Sequence, residues 1–159
     1  MAIVHARIDE RLIHGQVAMV WTNTVGATRI AVVNDEAVKD EMIISALKMA
    51  KPAGVKLSIL SKRKAVEKFP SGVYDGDKVF LITKNIEDMK FLVDNNIDIK
   101  TVNVGNIAKK EGAVQIKKSV HVTDEDIKNI QDLLDKGVKV TAQMIPSESD
   151  QSITAYLPK

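Results

Sequence analysis

Apolar residues recur along this chain with two different spacings, and the two take turns. Ile3–Ile8 begins as an apolar run and predicts a strand; Gly15 to about Thr24 has the three-to-four-residue spacing of a helix. Thr28–Val33 is nearly all apolar, as expected of a strand buried on both faces. Asn34 or Asp35 then serves as the cap of a helix reaching about Ala50, with Val38, Met42, Ile43, Ala46 and Leu47 on its inner side. Val55–Leu60 predicts a third strand, and Ser61 caps a short helix to Phe69. After the turn-rich stretch Pro70–Asp77 come a strand at Lys78–Thr83 and a helix from about Ile86 to Asn95.

The second half repeats the alternation with one irregular region. Thr101–Val104 is a short strand, and Ala113–Ile116 another, flanked by Lys109-Lys110 and Lys117-Lys118. Thr123 caps a helix whose stripe is Ile127, Ile130, Leu133 and Leu134, and Gly137 stops it. Val138–Ile145 is the last strand, and Ala155-Tyr156-Leu157 adds a docking or edge segment. Strands alternating with helices imply an α/β fold: an open, mostly parallel, doubly wound sheet of about six to seven strands with helices on both faces. Residues 1–159 form one domain, which is long enough for a real core.

Such sheets place their ligands outside the carboxyl ends of the strands. The loops on that edge are Arg7–His14, Asn34–Asp35, Ser61–Lys62, Thr83–Asn85 and Asn103–Asn106. The first is the richest. Arg7-Ile8-Asp9-Glu10-Arg11-Leu12-Ile13-His14-Gly15-Gln16 sets two arginines and an acid before a histidine at the mouth of a helix. Unpaired amides and the peptide dipole favour an anion there, and arginine matches phosphate oxygens with paired donors. Histidine supplies a nucleophile. The residue types alone also fit an ion-pair cluster that merely fixes a loop.

Composition excludes several other classes. A net charge of +2, with no basic tract, gives no footprint for nucleic acid. No cysteine is present, so disulfides and thiolate–metal sites are ruled out. His5, His14 and His121 have no local metal-ligand spacing, and neither nucleotide-binding glycine fingerprint occurs, so neither metal nor cofactor is expected. No apolar run approaches membrane-helix length, and Met1–Arg7 does not read as a secretion signal, which leaves an intracellular chain as the expectation.

The segment from Arg7 to Val17 resembles the phosphorylation loop of the IIB component of sugar phosphotransferase systems, mannose/fructose/sorbose family. The likeness continues through Val32-Val33-Asn34-Asp35, Ala53–Lys56, Asn103-Val104-Gly105-Asn106 and Val122–Asp126 in the expected order, covering nearly the whole chain. It implies a phosphocarrier of the protein-N(π)-phosphohistidine–sugar phosphotransferase type. His14 accepts a phosphoryl group from a IIA partner and passes it to a sugar entering through the membrane IIC/IID permease. By the same resemblance Arg7 and Arg11 hold the phosphate with the amides of Gly15, Gln16 and Val17. Asp9 supports by orienting an arginine or the ring, Asn34 and Asp35 lend further support, and Asp35 pairs with Arg7 or Arg11.

Leu12 and Ile13, beside His14, are expected to be exposed contacts for the IIA partner, with Lys62, Lys109 and Lys110 as candidates for acidic partners. His5 and His121 are read as structural, and Trp21 as core or contact surface near the loop. The implied location is cytoplasmic, peripheral to the permease, with a homo-oligomer left open. Two rival readings use the same residues: a small phosphoester hydrolase or mutase working through His14, and a regulatory domain that only binds a phosphate-bearing ligand.

Overall fold

A computed structural model describes residues 2–158. In chain order the strands are β1 (Ala2–Asp9), β2 (Arg29–Val33), β3 (Lys56–Leu60), β4 (Lys78–Thr83), β5 (Thr101–Asn106), β6 (Val114–Lys117), β7 (Val120–Val122) and β8 (Lys139–Thr141). The α-helices are α1 (Gly15–Val25), α2 (Glu41–Ala50), α3 (Lys62–Lys68), α4 (Ile86–Asp94) and α5 (Asp124–Asp135). Six strands form one sheet in the order β3-β2-β4-β1-β5-β8, and every pairing in it is parallel. The chain leaves β1 toward β2 on one side but leaves β4 toward β5 on the other. That reversal of direction opens a crevice at the carboxyl ends of the central strands.

The period-two alternation of each strand sorts its side chains onto two faces. Ala31, Val33, Val79, Leu81, Val102, Val104 and Val140 pack with Ala65 of α3, Met89 of α4 and Leu133 of α5. The intervening residues Ile30, Val32, Phe80 and Ile82 pack with Ala18 and Trp21 of α1 and Leu47 of α2. The sheet is therefore wound on both faces, as the alternation of strands and helices predicts. In β1, Ala6 and Ile8 join the first face. His5, Arg7 and Asp9 alternate onto the other.

Several boundaries differ from expectation for physical reasons. The 113–116 strand exists as β6, but it pairs antiparallel with β7 in a separate two-stranded ribbon outside the main sheet. Helix α2 is capped by Asp40, whose carboxylate accepts the Met42 and Ile43 amides, while Asn34 instead closes a tight turn by accepting the Ala37 amide at 2.8 Å. With the start moved to Glu41, Met42 faces solvent (83% exposed) instead of the core. Strand β8 ends at Thr141, and the chain after it runs back over the sheet edge. The tail does dock: Ile153 is buried, Ser152 bridges to Thr141, and Tyr156 and Leu157 pack on the core.

Candidate functional site: a histidine at a helix mouth backed by two arginines

Arg7 occupies a strand position that would ordinarily carry an apolar side chain, and it is only 2% exposed. A buried guanidinium requires its donors to be met. Nη1 donates to the Gln143 carbonyl at 2.9 Å, and Nη2 and Nε donate to Asp9 Oδ2 at 3.2 and 3.4 Å. The Trp21 ring lies 5.6 Å from Cζ. On the neighbouring strand, a Cβ at Gly105 would overlap the Arg7 guanidinium, so that position must lack a side chain. Asn103 fixes the Gln143 peptide from both sides, donating to its carbonyl at 3.1 Å and accepting from its amide at 2.9 Å. Burial pulls the Arg7 pKa below its ordinary value, with Asp9 pulling it back up; the group stays charged.

Asp9 ends β1 and joins both arginines. Its carboxylate accepts Arg11 Nε at 3.0 Å, Arg11 Nη2 at 2.9 Å and the Arg11 amide at 3.0 Å. Two cations thus share one carboxylate, and the cluster keeps one net positive charge. Arg7 is closed off from solvent, whereas the Arg11 side chain is 31% exposed. Of the two roles the residue types allow Asp9, the geometry matches the orientation of the arginines.

The chain then turns through Leu12 in a left-handed conformation (φ 63°), with the Leu12 amide donating to the Asp9 carbonyl at 2.9 Å. A non-glycine residue with such a φ is held there by its surroundings. Leu12 and Ile13 are 7% and 5% exposed, so the expectation that they are open contacts is corrected: they anchor the loop in the core beside Trp21. The anchoring leaves His14 exposed at the cap position of α1, with no side-chain bond to the first-turn amides. Gly15 follows with φ 36°, a value suited to glycine. Gln16 is exposed and Val17 half-buried. The first turn of α1 carries no acidic residue, unlike those of α4 and α5. The amides and dipole at this helix start therefore have no carboxylate of their own turn to neutralise them.

The other expected residues have local duties. Asp35 does not pair with Arg7 or Arg11; it accepts the Lys62 amide at 2.8 Å and faces the Lys62 ammonium at 4.0 Å, tying the start of α3 to the end of β2. Lys62 also faces Asp88 at 3.5 Å and the Phe91 ring, so it is not a free surface charge. Lys109 and Lys110 are exposed. Ser61 caps α3 as expected, while α4 is capped by Asn85, to whose carbonyl Thr83 donates. His5 stacks on Trp21 at 4.1 Å, and His121 contacts the Ile107 carbonyl. Trp21 is buried and donates to the Met144 carbonyl at 3.0 Å, so it belongs to the core and ties α1 to the segment after β8.

Asn103, Gly105 and Gln143 carry the support of Arg7, and sequence reasoning did not assign them that task. The Asn103–Asn106 loop was visible as one of the carboxyl-end loops, but its register against Arg7 was not. On α1, Met19 and Val20, five and six positions after His14, are exposed apolar residues (49% and 43% exposed).

Comparison with known proteins identifies the family. The family model for the PTS system sorbose subfamily IIB component matches residues 3–159. A fructose-specific EIIB component of Bacillus subtilis is 40% identical over 157 residues, spanning 99% of this chain and 96% of that protein. The mannose-specific EIIAB component of Escherichia coli is 34% identical over 93% of this chain, a match that covers 46% of that longer protein. The crystal structure of the IIBSor domain of the sorbose permease from Klebsiella pneumoniae superposes with a TM-score of 0.94 at 35% identity, covering 98% of this chain and 96% of that one. The chain belongs to the IIB components of the sugar phosphotransferase system, sorbose subfamily.

Proposed function

We propose that His14 is the phosphoryl carrier of this IIB component. It takes the group from a IIA partner and gives it up to a sugar brought in by a IIC/IID permease, as a protein-N(π)-phosphohistidine–sugar phosphotransferase. The observation that carries this reading is the position of His14: exposed at the start of α1, uncapped, and three residues after Arg11 in the loop that carries an arginine pair with one net positive charge. The imidazole nitrogen attacks phosphorus as the partner's N–P bond breaks, and it is the leaving group when the sugar hydroxyl attacks in turn. Throughout, the protein supplies position and charge. Arg11 and the amides of Gly15, Gln16 and Val17 contact the phosphate. Arg7, sealed inside, contributes its field and holds Asp9, which holds Arg11. Asn34 and Asp35 support the neighbouring loops.

The partner assignments rest on the family and on names of relatives. The mannose relative is a combined EIIAB component, which supports a IIA protein as donor. Met19 and Val20, exposed on the helix that His14 opens, suit a modest interface that two partners use in succession. Relatives named for fructose, mannose, sorbose and N-acetylgalactosamine all match this chain in sequence, so the sugar is left open among these. Among the described residues no helix is long and apolar enough to cross a membrane; a cytoplasmic domain, 1–159, docking peripherally on the permease fits that finding. The test is intact mass after incubation with phosphoenolpyruvate, the general phosphotransfer proteins and a IIA component. One acid-labile phosphate on the wild type and none on His14→Ala is expected. A phosphate retained by His14→Ala would refute the assignment.

A further inference from the structure

Strands β1, β2 and β4 end side by side, because Ile8 and Val33 both lie in register with Thr83. The chain therefore leaves the sheet at three adjacent points, Asp9, Asn34 and Lys84. Between them opens a crevice of about 280 Å³, walled by Arg11, Asn34, Glu36 and Lys84 over a floor that includes Leu12 and Leu47. It shares Arg11, Leu12 and Ile13 with the loop that presents His14.

Lys84 differs from the half-buried Lys62 and Lys90. Lys62 is tied to Asp35 and Asp88, and Lys90 to Asp94. Lys84 is half-buried, yet among the described residues its ammonium has neither an ion-pair nor a hydrogen-bond partner. An ammonium with no counter-charge on the wall of this crevice is available to an anion that enters beside Arg11. The acids that line the crevice do not fill that role: the Glu10 carboxylate accepts the Ala108 amide at 2.9 Å, and Glu36 is exposed and pairs with no cation among the described residues.

Resting on the phosphocarrier reading, we propose that Lys84 is a further phosphate-contacting residue, which closes with Arg11 on the phosphoryl group as it moves to and from His14. The N–P bond to His14 forms as the donor's N–P bond breaks, and the lysine forms no covalent bond and gives up no proton. Its ammonium offsets the charge on the equatorial oxygens, a task suited to a flexible point charge that is idle before the partner docks.

The test is the rate of transfer from a phosphorylated IIA component, followed against its concentration, for wild type, Lys84→Met, Lys84→Arg and Lys62→Met. A wild type that takes up no phosphate overturns the phosphocarrier reading itself, before any variant is compared. With wild-type transfer established, Lys84→Met should lower the maximal rate by about tenfold or more at an unchanged half-saturating concentration. Lys84→Arg should stay within about threefold of wild type, since it keeps the charge. Lys62→Met should transfer normally. Three results would each overturn the proposal: a wild-type maximal rate in Lys84→Met, an effect on half-saturation alone, or equal losses in the Met and Arg variants.

Discussion

Arg7 exchanges its hydration for a fixed place between Asp9, Gln143 and Trp21, and the site depends on that exchange being complete. Removing the carboxylate with Asp9→Ala would strand a buried cation, so a stability loss of about 3–5 kcal/mol is expected in urea unfolding. Gly105→Ala should cost about 1–3 kcal/mol by forcing the guanidinium aside, and it should slow phosphotransfer although residue 105 never meets the phosphate. Normal transfer in a destabilised Gly105→Ala would separate the arginine's place from the chemistry. The chemistry-bearing residues here were legible as types: two arginines, an acid and a histidine around a helix mouth. Their supports were not. Asn103 and Gly105 reach Arg7 through the parallel pairing of β5 with β1, and Gln143 from the segment after β8, and spacing within one segment carries no trace of that register. The burial of Leu12 and Ile13 was equally hidden, because it depends on the left-handed turn at Leu12.

Elements were legible where local chemistry decided them. Thr123 was recognisable as a cap, and it forms a reciprocal capping box with Asp126. Thr123→Ala should therefore cost about 1 kcal/mol, read as a lowered urea midpoint. The start of α2 was misplaced because Asn34, Asp35 and Asp40 all have capping side chains and only the tertiary path selects among them. Asp40→Ala should accordingly cost about 1 kcal/mol of stability, whereas the Asp35 carboxylate stabilises a contact with α3 and not the start of α2. Strand β7 went unseen since three residues, Val120–Val122, are too few to show a period. Helix α1 was found from its apolar spacing, but its open first turn became apparent only with the His14 side chain clear of the amides.

At the scale of the whole molecule, winding the sheet on both faces places one polar strand face, His5-Arg7-Asp9, beneath α1. The doubly wound class followed from the alternation of strands and helices; that this one face would be polar did not. It has a consequence in acid. Burial and the neighbouring Arg7 hold the His5 pKa down from 6.5 to about 3, so the unfolded chain binds this proton before the folded one does. The contribution of His5 is fully present above pH 6.5 and is lost as pH falls toward about 3. His5→Phe, which keeps a ring against Trp21, should flatten the stability–pH curve in that window by up to about 1.4 kcal/mol per pH unit. An unchanged curve would place the acid sensitivity elsewhere. Phosphotransfer through this site requires that a ring nitrogen of His14 carry the phosphate. Phosphorus-coupled nitrogen NMR of the histidine-labelled, phosphorylated protein reads this directly. Coupling to a ring nitrogen of His14, with His5 and His121 unchanged, is the predicted result; coupling to either of the other two histidines would contradict it.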